Sequence, residues 1–210
     1  MKYKVFIKTG FLFFSFALLF PSLSALSEED PSIHLNLPEG FFSQVCPSPI
    51  WKNLKIRWLG VTDERPHQWV GIVTKKGGKN PVRIETDQPL TETFNASLKT
   101  LFTQCGMILT DAKENPSASP EATLAVKIID FSATEEKRFF TGKGTAKSRL
   151  LFLVQEGRKK TTSTVGYGLE FKMGRKSGIK RMQMILSELY QATLKEIPKA
   201  AELRKIADKN

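Results

Sequence analysis

Downstream of a strongly apolar amino end, hydrophobic positions along this chain recur at two spacings, every second residue and every third or fourth. Residues 54–61, Leu54-Lys55-Ile56-Arg57-Trp58-Leu59-Gly60-Val61, open by alternating apolar and basic side chains. Period two means one face in and one face out, so this is the first core strand. Pro66 ends it, because proline has no N–H to give to a ladder. Residues 69–73 read as a short second strand, 75–81 as a turn, and Val82-Arg83-Ile84 as a return to pairing. Asp87 is then placed as a helix N-cap, with Pro89 in the first turn. Leu90, Phe94, Leu98, Leu101, Phe102 and Cys105 form one apolar stripe at helical spacing. Gly106 supplies a left-handed stop. Residues 107–109 read as a strand and 111–121 as a solvated loop.

Three strands and a helix follow. Residues 122–131 are apolar in both registers, as a central strand would be. Residues 143–155 are next, then a basic turn at Gly157-Arg158-Lys159-Lys160. Residues 161–171 put Thr161, Ser163, Val165, Tyr167, Leu169 and Phe171 on one face and Gly166 and Gly168 on the other, where glycines suit a close approach by another backbone or helix. Ser177 is placed as the cap of a last helix, striped by Ile179, Met182, Ile185, Leu186, Leu189, Tyr190, Thr193 and Ile197. Pro198 marks its end. This order predicts an α+β fold, a mainly antiparallel sheet with two helices packed on one face. The domain is expected over 50–198, after a Pro- and acid-rich leader at 28–49 and before a charged tail at 199–210.

Residues 1–27 change the compartment. Lys2, Lys4 and Lys8 precede an 11-residue apolar run at 10–20, and Ala25-Leu26-Ser27 offers small residues for cleavage before Glu28. These features read as a secretory signal peptide, with cleavage after Ser24 or retention as an uncleaved anchor as the alternatives. Its apolar run falls short of the roughly 18 residues a membrane span needs, so no transmembrane span is expected after cleavage. No Cys follows the apolar run closely enough for lipidation, since the first is Cys46. The full chain has 210 residues and a formal charge of +11. The signal carries three Lys and no acid, so the exported part keeps 29 basic and 21 acidic residues, a net +8. Export favours a disulfide between Cys46 and Cys105 over two free buried thiols.

Candidate chemistry is sparse. Two His and two Cys are too few for a zinc ribbon or a multi-Cys cluster, and neither metal nor cofactor is expected. His34 and His67 lack a nucleophile motif beside them. Gly174-Arg175-Lys176-Ser177 misses the phosphate-loop spacing and its Lys. Asn95-Ala96-Ser97 matches a glycosylation sequon inside a helix, and the motif is common by chance. Asp63 and Glu64 form an acidic pair at a strand end, with Arg65 as a charge partner for Asp63. Arg158, Lys159 and Lys160, together with Lys172, Arg175, Lys176, Lys180 and Arg181, make a basic rim suited to an anionic surface or an acidic partner. Phe139-Phe140 could insert into such a partner. Export and the lack of interleaved aromatics argue against nucleic acid.

The stretch from Trp58 to Leu109 resembles the YajG-type family of small bacterial envelope lipoproteins of unknown function. The resemblance rests on Val61-Thr62-Asp63-Glu64-Arg65, on Val70-Gly71-Ile72, and on a helix closing from Leu101 to Gly106. Leu124-Ala125-Val126-Lys127-Ile128, the strand from Gly144 to Val154, Val165-Gly166-Tyr167-Gly168 and a final helix with Leu186 and Leu189 extend it. Family members carry a lipidated Cys, which this chain lacks. The resemblance implies no catalytic residues. The expectation is a non-enzymatic protein of the periplasm or outer-membrane periphery. It would serve as a binding or assembly module for an envelope protein or an anionic envelope surface, with contacts at Asp63, Arg65, Phe139, Phe140, Arg158, Lys159 and Lys160. The alternatives are an auxiliary subunit of an envelope transport system and a secreted hydrolase built around Asp63, Glu64 and His67.

Overall fold

A 16-residue strand, β6 (Ala122–Lys137), organises the molecule. The computed structural model describes residues 31–74, 81–111, 120, 122–137, 142–173, 178–200, 203 and 205. Preceding β6 are β1 (Ser32–Ile33), α1 (Phe41–Val45), β2 (Lys55–Asp63), β3 (Gly71–Thr74), β4 (Pro81–Thr86), α2 (Leu90–Gln104) and β5 (Ile108–Asp111). After it come β7 (Gly142–Glu156), β8 (Lys159–Met173), α3 (Ile179–Glu196) and a 3-10 turn, Ile197–Lys199. β7 pairs antiparallel along the whole of β6, and β8 pairs antiparallel with β7. The other edge of β6 is shared. β2 runs parallel beside its first half and β3 parallel beside its second half.

The eight-stranded sheet is therefore mixed, which corrects the expectation of a mainly antiparallel one. β2 is also parallel to β5, and β1 to β4. The reason is connectivity. Two parallel neighbours need a long crossover between them, and the chain from β2 to β5 passes through α2 to make one. Alternation along a strand reports which face is buried, not which way its neighbour runs.

One bulge explains the ambiguous apolar pattern of β6, and a second lies beside it in β2. Its pairing with β7 shifts between Ile128 and Asp130. Before that point Leu124, Val126 and Ile128 are buried, and after it Phe131 and Ala133 are. One extra residue switches the inward phase from even to odd numbers. β2 carries a matching shift between Trp58 and Gly60, where Gly60 takes φ 98°, a left-handed value that favours glycine. Leu59 is left exposed there.

The helices cover one face. Phe94 of α2 packs edge-on against Tyr190 of α3 at 4.9 Å and against Phe131 of β6 at 5.4 Å. Trp58, Phe102 and Phe152 continue the aromatic core under α2. α2 starts as its stripe predicts, but Asp87 is not its cap. Pro89 occupies the N-cap position, and the Asp87 carboxylate lies 2.7 Å from His34 Nδ1. Gly106, at φ 96°, ends the helix as expected. Gly178 precedes α3, and Ser177 lies outside the described residues.

The leader is part of the domain from residue 31. β1 pairs with β4, and Ile33, Leu35 and Phe41 are buried. Cys46 and Cys105 are joined, tying the end of α1 to the end of α2 across 59 residues. The chain-entropy model gives such a closure roughly 4 kcal/mol. At the other terminus Leu203 is buried, and its carbonyl accepts the Trp51 indole N–H at 3.1 Å.

Candidate functional site

The strand-end motif at Asp63 folds into a staple. Arg65 is 2% exposed at its side chain. Its Nε donates to Asp63 Oδ1 at 2.9 Å and its Nη2 to Oδ2 at 2.8 Å, a two-pronged fork. The remaining N–H groups reach the carbonyls of Trp69, Phe131 and Gln68 at 3.1–3.2 Å. This closes the gap where β2 ends and β3 begins along β6. The neighbours are engaged separately. Glu64 pairs with Lys127 at 2.6 Å. The His67 ring stacks on Trp69 at 3.4 Å, with Nδ1 3.0 Å from the Trp69 carbonyl oxygen. Asp63, Glu64 and His67 share no common partner.

The opposite face of the β6–β7–β8 meander carries the basic residues. Cross-strand register puts Lys143, Thr145, Lys147, Arg149, Leu151 and Leu153 on it from β7. β8 adds Lys160, Thr162, Thr164, Gly166, Gly168, Glu170 and Lys172. Lys147 and Arg149 both reach Asp130, at 3.1 and 3.2 Å. No described helix covers Gly166 and Gly168, because α2 and α3 pack on the other side. The tightest neighbour of Gly166 is the Ser148 carbonyl, across the ladder.

Of the expected contacts, Arg158 sits in the β7–β8 turn, beside Gly157 at φ 56°. Lys159 and Lys160 are already in β8, and all three cations are exposed. Phe139 and Phe140 lie outside the described residues, as do Arg175 and Lys176. At the far end of the same strands a concavity of about 390 Å³ is lined by Thr134, Lys143, Gly144, Thr145, Glu170, Phe171 and Lys172. Lys160 and this concavity thus occupy opposite ends of one sheet face.

One buried group escaped the sequence reading. Glu135 is 2% exposed, and neither carboxylate oxygen has a hydrogen-bond partner. It stands between Val73 of β3 and Gly144 of β7, and the Phe171 ring fills the space a side chain at Gly144 would take. Counting the bulge at Ile128/Asp130 would have put Glu135 in the inward phase with Phe131 and Ala133. The sequon residues are structural: Asn95 Oδ1 accepts the Trp58 indole N–H at 2.8 Å, and Ser97 bonds the Tyr190 hydroxyl at 2.6 Å. Burial pushes the Tyr190 phenol up from 10.0 to about 12, against the lowering effect of Ser97. Among the described residues, no three His, Cys, Asp or Glu side chains converge as metal ligands. No described helix is long and apolar enough to cross a membrane.

No family model and no curated protein matches the chain. Solved structures give distant likenesses. A DUF330-family protein of Xanthomonas campestris is 12% identical, with 84% of this chain and 93% of that one covered at a TM-score of 0.46. A putative neuraminyllactose-binding hemagglutinin homolog from Helicobacter pylori is 10% identical, with 85% and 100% covered at 0.44. Lipoprotein GNA1162 from Neisseria meningitidis is 11% identical, with 65% and 95% covered at 0.30. At scores below 0.5 these likenesses transfer no function. No family model confirms the YajG-type resemblance.

Proposed function

We propose that this is a non-enzymatic protein of the bacterial cell envelope, exported by its amino-terminal signal, that binds an acidic envelope partner through the open face of its sheet. The observation that carries this reading is the asymmetry of the β6–β7–β8 meander. Its inner face lies under two helices, while its outer face is exposed and carries Lys143, Lys147, Arg149, Lys160 and Lys172. Arg158 extends the same charge at the turn, and Lys159 follows it in the other phase of β8. Asp130 and Glu170 share that face, but the five cations outnumber them, and a net-positive surface steers an opposite charge. Asp63 and Arg65 serve this surface as scaffold, by fixing β2 and β3 to β6. The hydrolase alternative loses its best candidate group, because Asp63, Glu64 and His67 are each held by a different neighbour.

The test is crosslinking in living cells from a photoreactive residue placed at Thr145 or Arg158, followed by mass spectrometry. The expected product is one exported envelope protein, captured less when Lys147 and Arg149 are both changed to Glu and when salt is raised. Capture of cytoplasmic proteins alone, or capture indifferent to the charge reversal, overturns the reading. Amino-terminal sequencing of the native protein tests export separately, with a start at Glu28 expected.

A further inference from the structure

β8 presents the longest unpaired edge in the described sheet. It pairs with β7 over Lys159–Met173 and with no other described strand. The other edge strands are short, two residues in β1 and four in β5. Long edges are ordinarily blunted by proline, a bulge or an inward charge. β8 contains no proline, and its ladder with β7 runs through without a shift in register. Thr-rich and straight, this edge is a template for another strand.

A second copy of the same strand fits it in one register. Two antiparallel β8 strands related by a two-fold axis normal to the sheet keep like faces together. Centred on Val165, Lys160 of each copy stands opposite Glu170 of the other. Both side chains lie on the exposed outer face, so the dimer gains two cross-strand ion pairs, set against Arg158 of the turn facing Lys172 at each end of the seam. Thr162 and Thr164 then oppose Gly168 and Gly166, which bring no side chain into the seam. On the inner face the two Val165 side chains meet. Tyr167, 39% exposed at this edge, gains Ser163 as its neighbour. Moving the centre one residue, to Gly166, sets Lys160 against Lys172 and loses both ion pairs.

We propose that the protein self-associates as a two-fold dimer through β8 in the Val165-centred register, joining two sheets into one. The pairing leaves the outer face open. It therefore presents the basic surface twice on one continuous sheet.

Sedimentation velocity of the full chain over a concentration series at low salt tests this. A concentration-dependent dimer is expected. K160E and E170K should each weaken it about tenfold, since each turns two attractions into two repulsions. The double swap K160E/E170K should restore it. Circular dichroism checks that these exposed substitutions leave the fold intact. A chain that stays monomeric at every concentration overturns the proposal. So does a dimer indifferent to both single reversals, or one the double swap fails to rescue. In an independent reading, V165C should form a reducible dimer crosslink, because the native cysteines are already paired.

Discussion

Two neighbours in β6 show how differently the faces of this sheet are built. Phe131 points inward, fully buried, 5.4 Å from Phe94 and 6.3 Å from Tyr190. Ser132 is itself only 5% exposed but pairs with Lys147, whose side chain is 64% exposed on the uncovered face. One residue of sequence separates a position held by two helices from a ladder held by backbone bonds and screened charge. The inner face carries the stability, so the outer face is free to carry polar and charged groups. The inner face is itself uneven. Its aromatic centre is closely packed and satisfied, while Glu135, four residues along, is buried with no partner.

The sharpest break in this comparison comes from Phe131→Ala, which removes a ring shared by α2, α3 and β6. Urea unfolding should show a loss of about 3–5 kcal/mol. Arg65→Ala comes next, at about 3 kcal/mol, because it unties β2 and β3 from β6 and leaves Asp63 without its fork. Arg65→Lys should recover little of that, since an ammonium cannot reproduce the two-pronged geometry. Urea unfolding of both variants beside the native chain checks this order.

Tyr190 supplies a pH signature of the packed centre. Its folded pKa, about 12, lies above the ordinary 10.0, so its contribution is whole below pH 10 and is lost as pH rises through 12. The two-unit gap is worth about 3 kcal/mol. Tyr190→Phe should flatten stability over that window, relative to the native chain, at a neutral-pH loss of about 1 kcal/mol from the bonds to Thr93 and Ser97. An unchanged slope would mean that other groups dominate the alkaline loss.

Glu135→Leu should move stability the other way, with a gain of about 1 kcal/mol, because it replaces a buried carboxylate that has no partner. A loss instead would overturn this reading of the carboxylate. The smallest effect belongs to the open face. Lys147→Ala should stay within about 0.5 kcal/mol by the same denaturation assay, since Arg149 still reaches Asp130.

Much of the architecture could be read from spacing. The α2 stripe ended at Gly106, and alternation in 161–171 separated the two faces of β8. The leader was harder, because its acids and prolines obscured Ile33, Leu35 and Phe41, which are buried in the domain. In β6 a single extra residue made an ordered pattern look apolar in both registers. The candidate surface was legible only in part. Arg158, Lys159 and Lys160 were visible as a run, whereas Lys143, Lys147, Arg149 and Lys172 share a face only once β7 and β8 are paired. Asp63 and Arg65 stood out as a charge pair at a strand end. Their use as an internal staple depended on Trp69 and Phe131 presenting carbonyls to the same guanidinium.

The sequence by itself determined where strands and helices form and which side of each is apolar, because those properties depend on residues a few positions apart. Only the tertiary structure decided that β2 and β3 divide one edge of β6, that both long helices fall on one side, and that a strand fifteen residues long is left at the border. Each of these depends on which distant segment arrives alongside, and local spacing holds no record of that.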